Sequence, residues 1–159
     1  MNVENIIEEK INLLNSIKDY EIEIGVISET SKRKDKISIG LTNAEIMYIH
    51  ENGSPLKNIP ARPVLEMTLQ YVQVNLIQKV IDKISDGIFN HNWKKSDIEN
   101  ELKKLCVRME NYARDIIYLN DGRLAPNSYS VAKKKKGNHP LFDTGQLARS
   151  IICRLINKN

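Results

Sequence analysis

From Ile98 onward the apolar residues return at alternating steps of four and three: Ile98, Leu102, Leu105, Met109, Tyr112 and Ile116. Side chains of a strand share a face every second residue, so this spacing fits only a helix, and a helix packed lengthwise on another helix. The preceding segment supplies a partner. After Pro63, well suited to the first position of a helix, Leu65, Leu69, Val72, Leu76, Val80, Ile84 and Ile88 form one long stripe. A break at "FNHNWKK" separates the two, and Ser96 with Glu99 has the spacing of a capping box for the second. These stripes predict an antiparallel helical hairpin.

Shorter elements surround it. Val3, Ile7, Ile11 and Leu14 share one face of a helix over 3–17, with Asn2 placed to cap it. "YEIEIGVI" alternates Tyr20, Ile22, Ile24 and Val26 against Glu21 and Glu23, the pattern of a half-buried strand. "KISIGL" repeats the alternation with Ile37, Ile39 and Leu41, which predicts an antiparallel hairpin with the basic tip "SETSKRKD". Thr42 and Glu45 form a capping box opening a helix that ends near Gly53. Two stretches lack periodicity: 53–63, rich in proline and glycine, and 120–140. The tail alternates Ile151, Cys153 and Leu155 as a final strand. The fold class expected is α+β in a single domain over 1–159: a small antiparallel sheet against a long helical hairpin, with short helices and extended loop arms at about 53–63 and 120–140.

Composition excludes little. A net charge of +4 permits an acidic partner without demanding one. The two cysteines, Cys106 and Cys153, read as buried reduced thiols. The first residues mix acids with apolar side chains and have no basic leader, so no secretory signal is expected, and no apolar run has the length of a membrane span.

Asp143-Thr144-Gly145 poses the one catalytic question, because that triplet after apolar residues is a local signature of aspartic proteases. Such a catalytic aspartate needs a second carboxylate close enough to share a proton. Those enzymes are built almost wholly from strands, most of them following the catalytic loop, and carry a small residue where this chain has Gln146. The same residues make a plain helix start, so Asp143, Thr144 and Gly145 are read as a structural cap, with Leu141 or Phe142 stapling against Leu147. His50, His91 and His139 are far apart, and His50-Glu51 lacks the second histidine of a zinc-protease helix. No catalytic, cofactor or metal residues are assigned. The strongest charge feature is Lys133, Lys134, Lys135 and Lys136, either a solvated run or a contact with an acidic surface or DNA phosphates.

Several segments follow one another along the chain: Ile49-His50-Glu51-Asn52-Gly53, then Ile59-Pro60-Ala61-Arg62-Pro63, then "NDGRLAPNSY", a lysine-rich stretch, and Leu141 through Ile151. Taken in this order they resemble the virion morphogenesis (tail-completion and neck) proteins of long-tailed bacteriophages. Together they cover most of the chain from Ala44 onward. The chain departs from the family at its N-terminal helix and at "SETSKRKD". The resemblance implies a structural protein without cofactor or enzymatic activity, in the virion neck or tail after synthesis in the host cytoplasm. It further implies a homo-oligomeric ring, expected to be a hexamer, beside neck, connector or tail-tube proteins. DNA would pass the lumen without specific contact, and no membrane is involved. In such a ring the two irregular loops would be the arms that reach neighbours, and 121–138 would be dispensable to the fold. Pro60 and Pro63 fix an extended path at low entropic cost, Arg62 offers a fork to a neighbour's carboxylate, and Lys133–Lys136 offer charge. The alternative is a basic nucleic-acid-binding accessory protein acting through these lysines and through Lys32, Arg33, Lys34 and Lys36.

Overall fold

A computed structural model describes residues 3–27, 40–135 and 138–158. Ile37 and Ile39 of the expected hairpin, the basic cluster at its tip, Asn2 and Lys136 lie outside the described residues. The chain is α+β, mostly helical with a two-stranded antiparallel sheet. In order the elements are α1 (Val3–Asn15), β1 (Tyr20–Val26), α2 (Asn43–Asn52), α3 (Val64–Asn75), α4 (Ile77–His91), α5 (Lys95–Tyr118), α6 (Tyr129–Lys135), α7 (Gln146–Ser150) and β2 (Ile151–Asn157). Among the described residues β1 pairs with β2, and the Lys158 N–H donates to Asp19 O at 2.8 Å where the pairing ends. Leu41, the described end of the expected second strand, is not in a strand.

The described residues group into two compact units. The first comprises 3–23, 70–108 and 153–158. Its apolar interior is Val72, Val80, Ile84, Ile88, Ile98, Leu102, Leu105 and Cys106. α4 and α5 are the expected antiparallel hairpin here: Lys83 and Glu101, equally far from the turn at Asn92, are joined at 2.8 Å. Asn92 closes α4 in the left-handed conformation (φ 51°), and the N–H groups of Asn92 and Trp93 both bond Gly87 O. A side chain at Gly87 would collide with the Trp93 ring lying across it. α1 packs on α4, and Lys10 Nζ donates to Phe89 O at 2.8 Å, yet α1 buries none of its residues. The Tyr20 hydroxyl donates to Glu99 at 2.8 Å; burial, then Glu99, pushes its pKa up to about 12.

Glu101 is the one acid buried in this unit, its side chain 1% exposed. Lys83 and Lys104 bond its Oε2 at 2.8 and 3.3 Å, and Arg108 stands 3.7 Å from its Oε1. Burial pushes the carboxyl up, but the hydrogen bonds and charges of Lys83 and Lys104 outweigh it and hold the group below its ordinary value.

The second unit comprises 24–27, 40–69, 109–135 and 138–152. Met47, Val64, Ala113, Ile116, Ile117, Leu124, Leu141, Leu147, Ala148 and Ile151 form its core, flanked by Ile24, Val26, Leu65, Tyr112 and Phe142. α2 starts on the expected capping box, with Thr42 Oγ1 accepting from the Glu45 N–H and Glu45 accepting from the Thr42 N–H.

Three expectations are corrected. The stripe from Leu65 to Ile88 is not one helix: Leu76, half-buried at φ −118°, separates α3 from α4, and Leu69 is exposed. α5 begins before Ser96. Asp97 accepts from the Lys94 N–H at 2.8 Å and so provides the cap, while Glu99 is engaged by Tyr20. Residues 120–140 are not wholly irregular, because Lys133, Lys134 and Lys135 belong to α6. That helix opens with Ser128 O accepting from the Ala132 N–H, and alanine and lysine favour it once it starts.

Leu105→Ala should lower stability by about 2–5 kcal/mol in urea unfolding, because it empties a closed site. Leu76→Ala, at the half-buried break, should cost under about 2 kcal/mol. The Glu101 carboxylate has a depressed pKa, so its contribution is present above its ordinary value of 4.5 and is lost as pH falls through the lower folded value. Glu101→Gln should therefore be less stable at neutral pH by about 1–3 kcal/mol, and its stability should fall less steeply in acid.

Candidate functional site

The segments singled out by sequence converge within the second unit. Residues 53–63 form a miniature hairpin, with Ser54 and Ile59 exchanging both backbone hydrogen bonds at 2.8 and 3.0 Å. A single 3-10 turn, Pro55–Lys57, crosses its tip, and Asn58 turns the chain back in the left-handed conformation (φ 50°). Gly53 stands at φ 73°, and a Cβ there would meet Ala61 N at 2.8 Å, so two requirements select glycine. Leu56, at the tip, is 97% exposed.

Arg62 leaves this hairpin inward and is only 4% exposed. Its backbone N–H donates to His50 O at 2.6 Å. Its Nε donates to Ala125 O at 2.7 Å and its Nη2 to Pro126 O at 2.8 Å. Nη1 lies 3.1 Å from His50 Nδ1, and since a guanidinium only donates, that nitrogen accepts. Burial lowers the Arg62 pKa. The expected fork toward a neighbouring subunit's carboxylate is thus corrected: this guanidinium is spent on its own chain, where its planar N–H groups match two carbonyls and an imidazole nitrogen.

The neighbouring motif residues do related work. Glu51 accepts from the Leu65 and Glu66 N–H groups at 3.1 and 2.8 Å, placing a carboxylate on the first turn of α3 that follows Pro63. Arg123 pairs with Asp121 at 2.6 Å and lies over the Tyr112 ring, while Leu124 enters the core. Asn138 Oδ1 accepts from the Asn127 N–H at 2.8 Å, and its carbonyl from Asn120. His139 Nε2 donates to Ile117 O at 2.6 Å, and its ring stacks on Phe142 at 4.6 Å. The 121–138 stretch carries both carbonyls that receive Arg62, so its removal would take those acceptors from a buried guanidinium.

The "FDTG" segment is also corrected in detail. Neither Asp143 nor Thr144 caps α7; Gly145 occupies the cap position at φ 74° with no side-chain hydrogen bond. Thr144 instead accepts at its carbonyl from Arg149 and at its hydroxyl from Gln146. Asp143 is exposed on the bend. The expected staple has its residues in place, since Leu141, Phe142 and Leu147 all belong to the same core, Leu141 in a left-handed conformation at φ 59°.

Comparison with family models, curated proteins and solved structures finds no match.

Of the remaining candidates, Lys133 and Lys134 project from α6 and are exposed. Pro60 is exposed and Pro63 half-buried beside Arg62. Among the described residues no group of histidine, cysteine, aspartate and glutamate could hold a metal ion. What the arrangement achieves is mechanical: Arg62 ties α2, the 53–63 hairpin and the 120–128 segment into one block. Sequence reasoning missed His50, Ala125 and Pro126 as partners of Arg62, and Leu56 as the projecting residue. The available signal was an arginine held between two prolines, Pro60 and Pro63, in a loop whose path they restrict.

Arg62→Met should lower the stability of the full chain by about 1–3 kcal/mol, since the side-chain hydrogen bonds to Ala125, Pro126 and His50 are lost. Arg62→Lys should recover only part of this, because an ammonium cannot span acceptors arranged for a fork. Denaturant unfolding of both variants gives the comparison.

Proposed function

We propose that this chain is a non-catalytic structural protein of a long-tailed bacteriophage virion, of the neck or tail-completion kind. It works as a ring of identical copies at the head-to-tail joint or tail end, against adjacent connector or tail-tube proteins. The observation that supports this reading is the meeting of separately resembling segments around Arg62, which hold Leu56 fully outward on a closed hairpin. A projecting apolar side chain on an already ordered loop loses little entropy on docking, so even a small contact is worth making. Repetition around a closed ring multiplies that contact. On this reading the 53–63 segment keeps its role as an arm, with Leu56 rather than Arg62 as its contact.

Purified particles provide the test. Mass spectrometry and imaging should find the chain at the neck or tail terminus, and its absence there would end the proposal. Leu56→Asp should leave unfolding unchanged within about 0.5 kcal/mol yet reduce incorporation into particles. If the free chain instead retains DNA with a steep salt dependence, lost when Lys133–Lys136 become serine, the nucleic-acid reading is favoured.

A further inference from the structure

The first unit carries two exposed surfaces of opposite character. On α1, Ile7 and Ile11 are roughly half-exposed, and Glu8 borders their row. α1 is net acidic, with Glu4, Glu8 and Glu9 against Lys10. On the α4–α5 hairpin, Lys83 and Lys104 meet over Glu101, with Arg108 one turn beyond Lys104 and Lys79 one turn before Lys83. The hairpin runs antiparallel, so these four cations occupy adjacent turns of two helices, and they outnumber the acids on those turns, buried Glu101 and exposed Asp82 and Asp86. Val107 lies beside Lys104 on this side and is 56% exposed.

We propose that α1 of one copy docks on this cationic surface of the next, Ile7 and Ile11 covering Val107, and Glu8 facing Lys79 and Lys104. The occupant is a second copy of this chain because each surface supplies what the other lacks: opposite charge and an apolar row next to it. Residues one helical turn apart are spaced alike on both sides, about 6 Å, so the rows keep register. Glu101 orients Lys83 and Lys104 in advance, which reduces the ordering cost of the contact. The two surfaces differ, so a docked pair still has one of each to offer. Such head-to-tail contact propagates and closes where its rotation allows. The proposal rests on the ring reading only for its setting, since the contact itself is measurable with the isolated chain.

Sedimentation velocity of the full chain over a range of concentration and salt is the experiment, with circular dichroism as the check on folding. Reversible self-association that weakens with salt is expected. Glu8→Lys and Lys79→Glu should each weaken it about fivefold, and the double reversal should return it to within about twofold of the parent. Ile7→Asp should abolish it. Association indifferent to all of these changes would overturn the α1 contact while leaving the ring reading to stand on another interface. Absence of association, or a cationic surface that retains DNA and loses it in Lys79→Glu, would overturn it as well. The location of the chain in particles is a separate result, so failure of one idea is distinguishable from failure of the other.

Discussion

A guanidinium taken out of water must find acceptors for its N–H groups, and the arrangement around Arg62 follows from that demand. No carboxylate takes part in the bonds described. The acceptors are two carbonyls and an imidazole nitrogen, supplied by α2 and by a segment more than sixty residues further along. The buried partner is the guanidinium, since Ala125 is half-buried and Pro126 exposed. Its requirement fixes where the 53–63 hairpin and the 120–128 segment lie against α2. Glu51, next to His50, then sets the start of α3 from the same block.

Much of the helical framework was legible because its signals are local. The four-three alternation of α5 maps onto buried positions nearly residue for residue, and the Thr42–Glu45 capping box is present with both of its bonds. The misreadings have physical causes. Leu76 continues a perfect apolar stripe, and periodicity carries no sign that the backbone breaks there. Ser96 and Glu99 have the right spacing for a cap, but Glu99 is claimed by Tyr20, a residue 79 positions away. The lysine run reads as repulsive coil, whereas alanine and lysine tolerate helix well enough for α6 to form after Ser128. At the candidate site, legibility ended at residue choice. The glycine and prolines of 53–63 announced a shaped loop, while the identity of the Arg62 partners depends on chain brought in from elsewhere.

A division of labour between buried and exposed charge runs through both units. Arg62 in one and Glu101 in the other are interior ions, the first meeting three acceptors and the second bonded at Oε2 with Arg108 3.7 Å from Oε1, and each lies beside an exposed surface. Beside Arg62 that surface is the hairpin ending in Leu56; beside Glu101 it is a row of half-exposed cations. On the proposed reading of a protein that acts by contact, presentation matters because every side chain already held in place before docking is one fewer to immobilise afterwards. Interior ions seldom add net stability over an apolar core, so their presence here is better understood as positioning than as glue.

Trp93 is the only tryptophan in the chain, and it lies across Gly87 where α4 turns into α5. Its emission, excited at the red edge of aromatic absorption, therefore samples the first unit alone, while the second contributes only tyrosines to the optical signal. The far-ultraviolet helical band averages over both. Any separation between the two traces during melting would mean that the units come apart in sequence, and the molecule records this without an added dye.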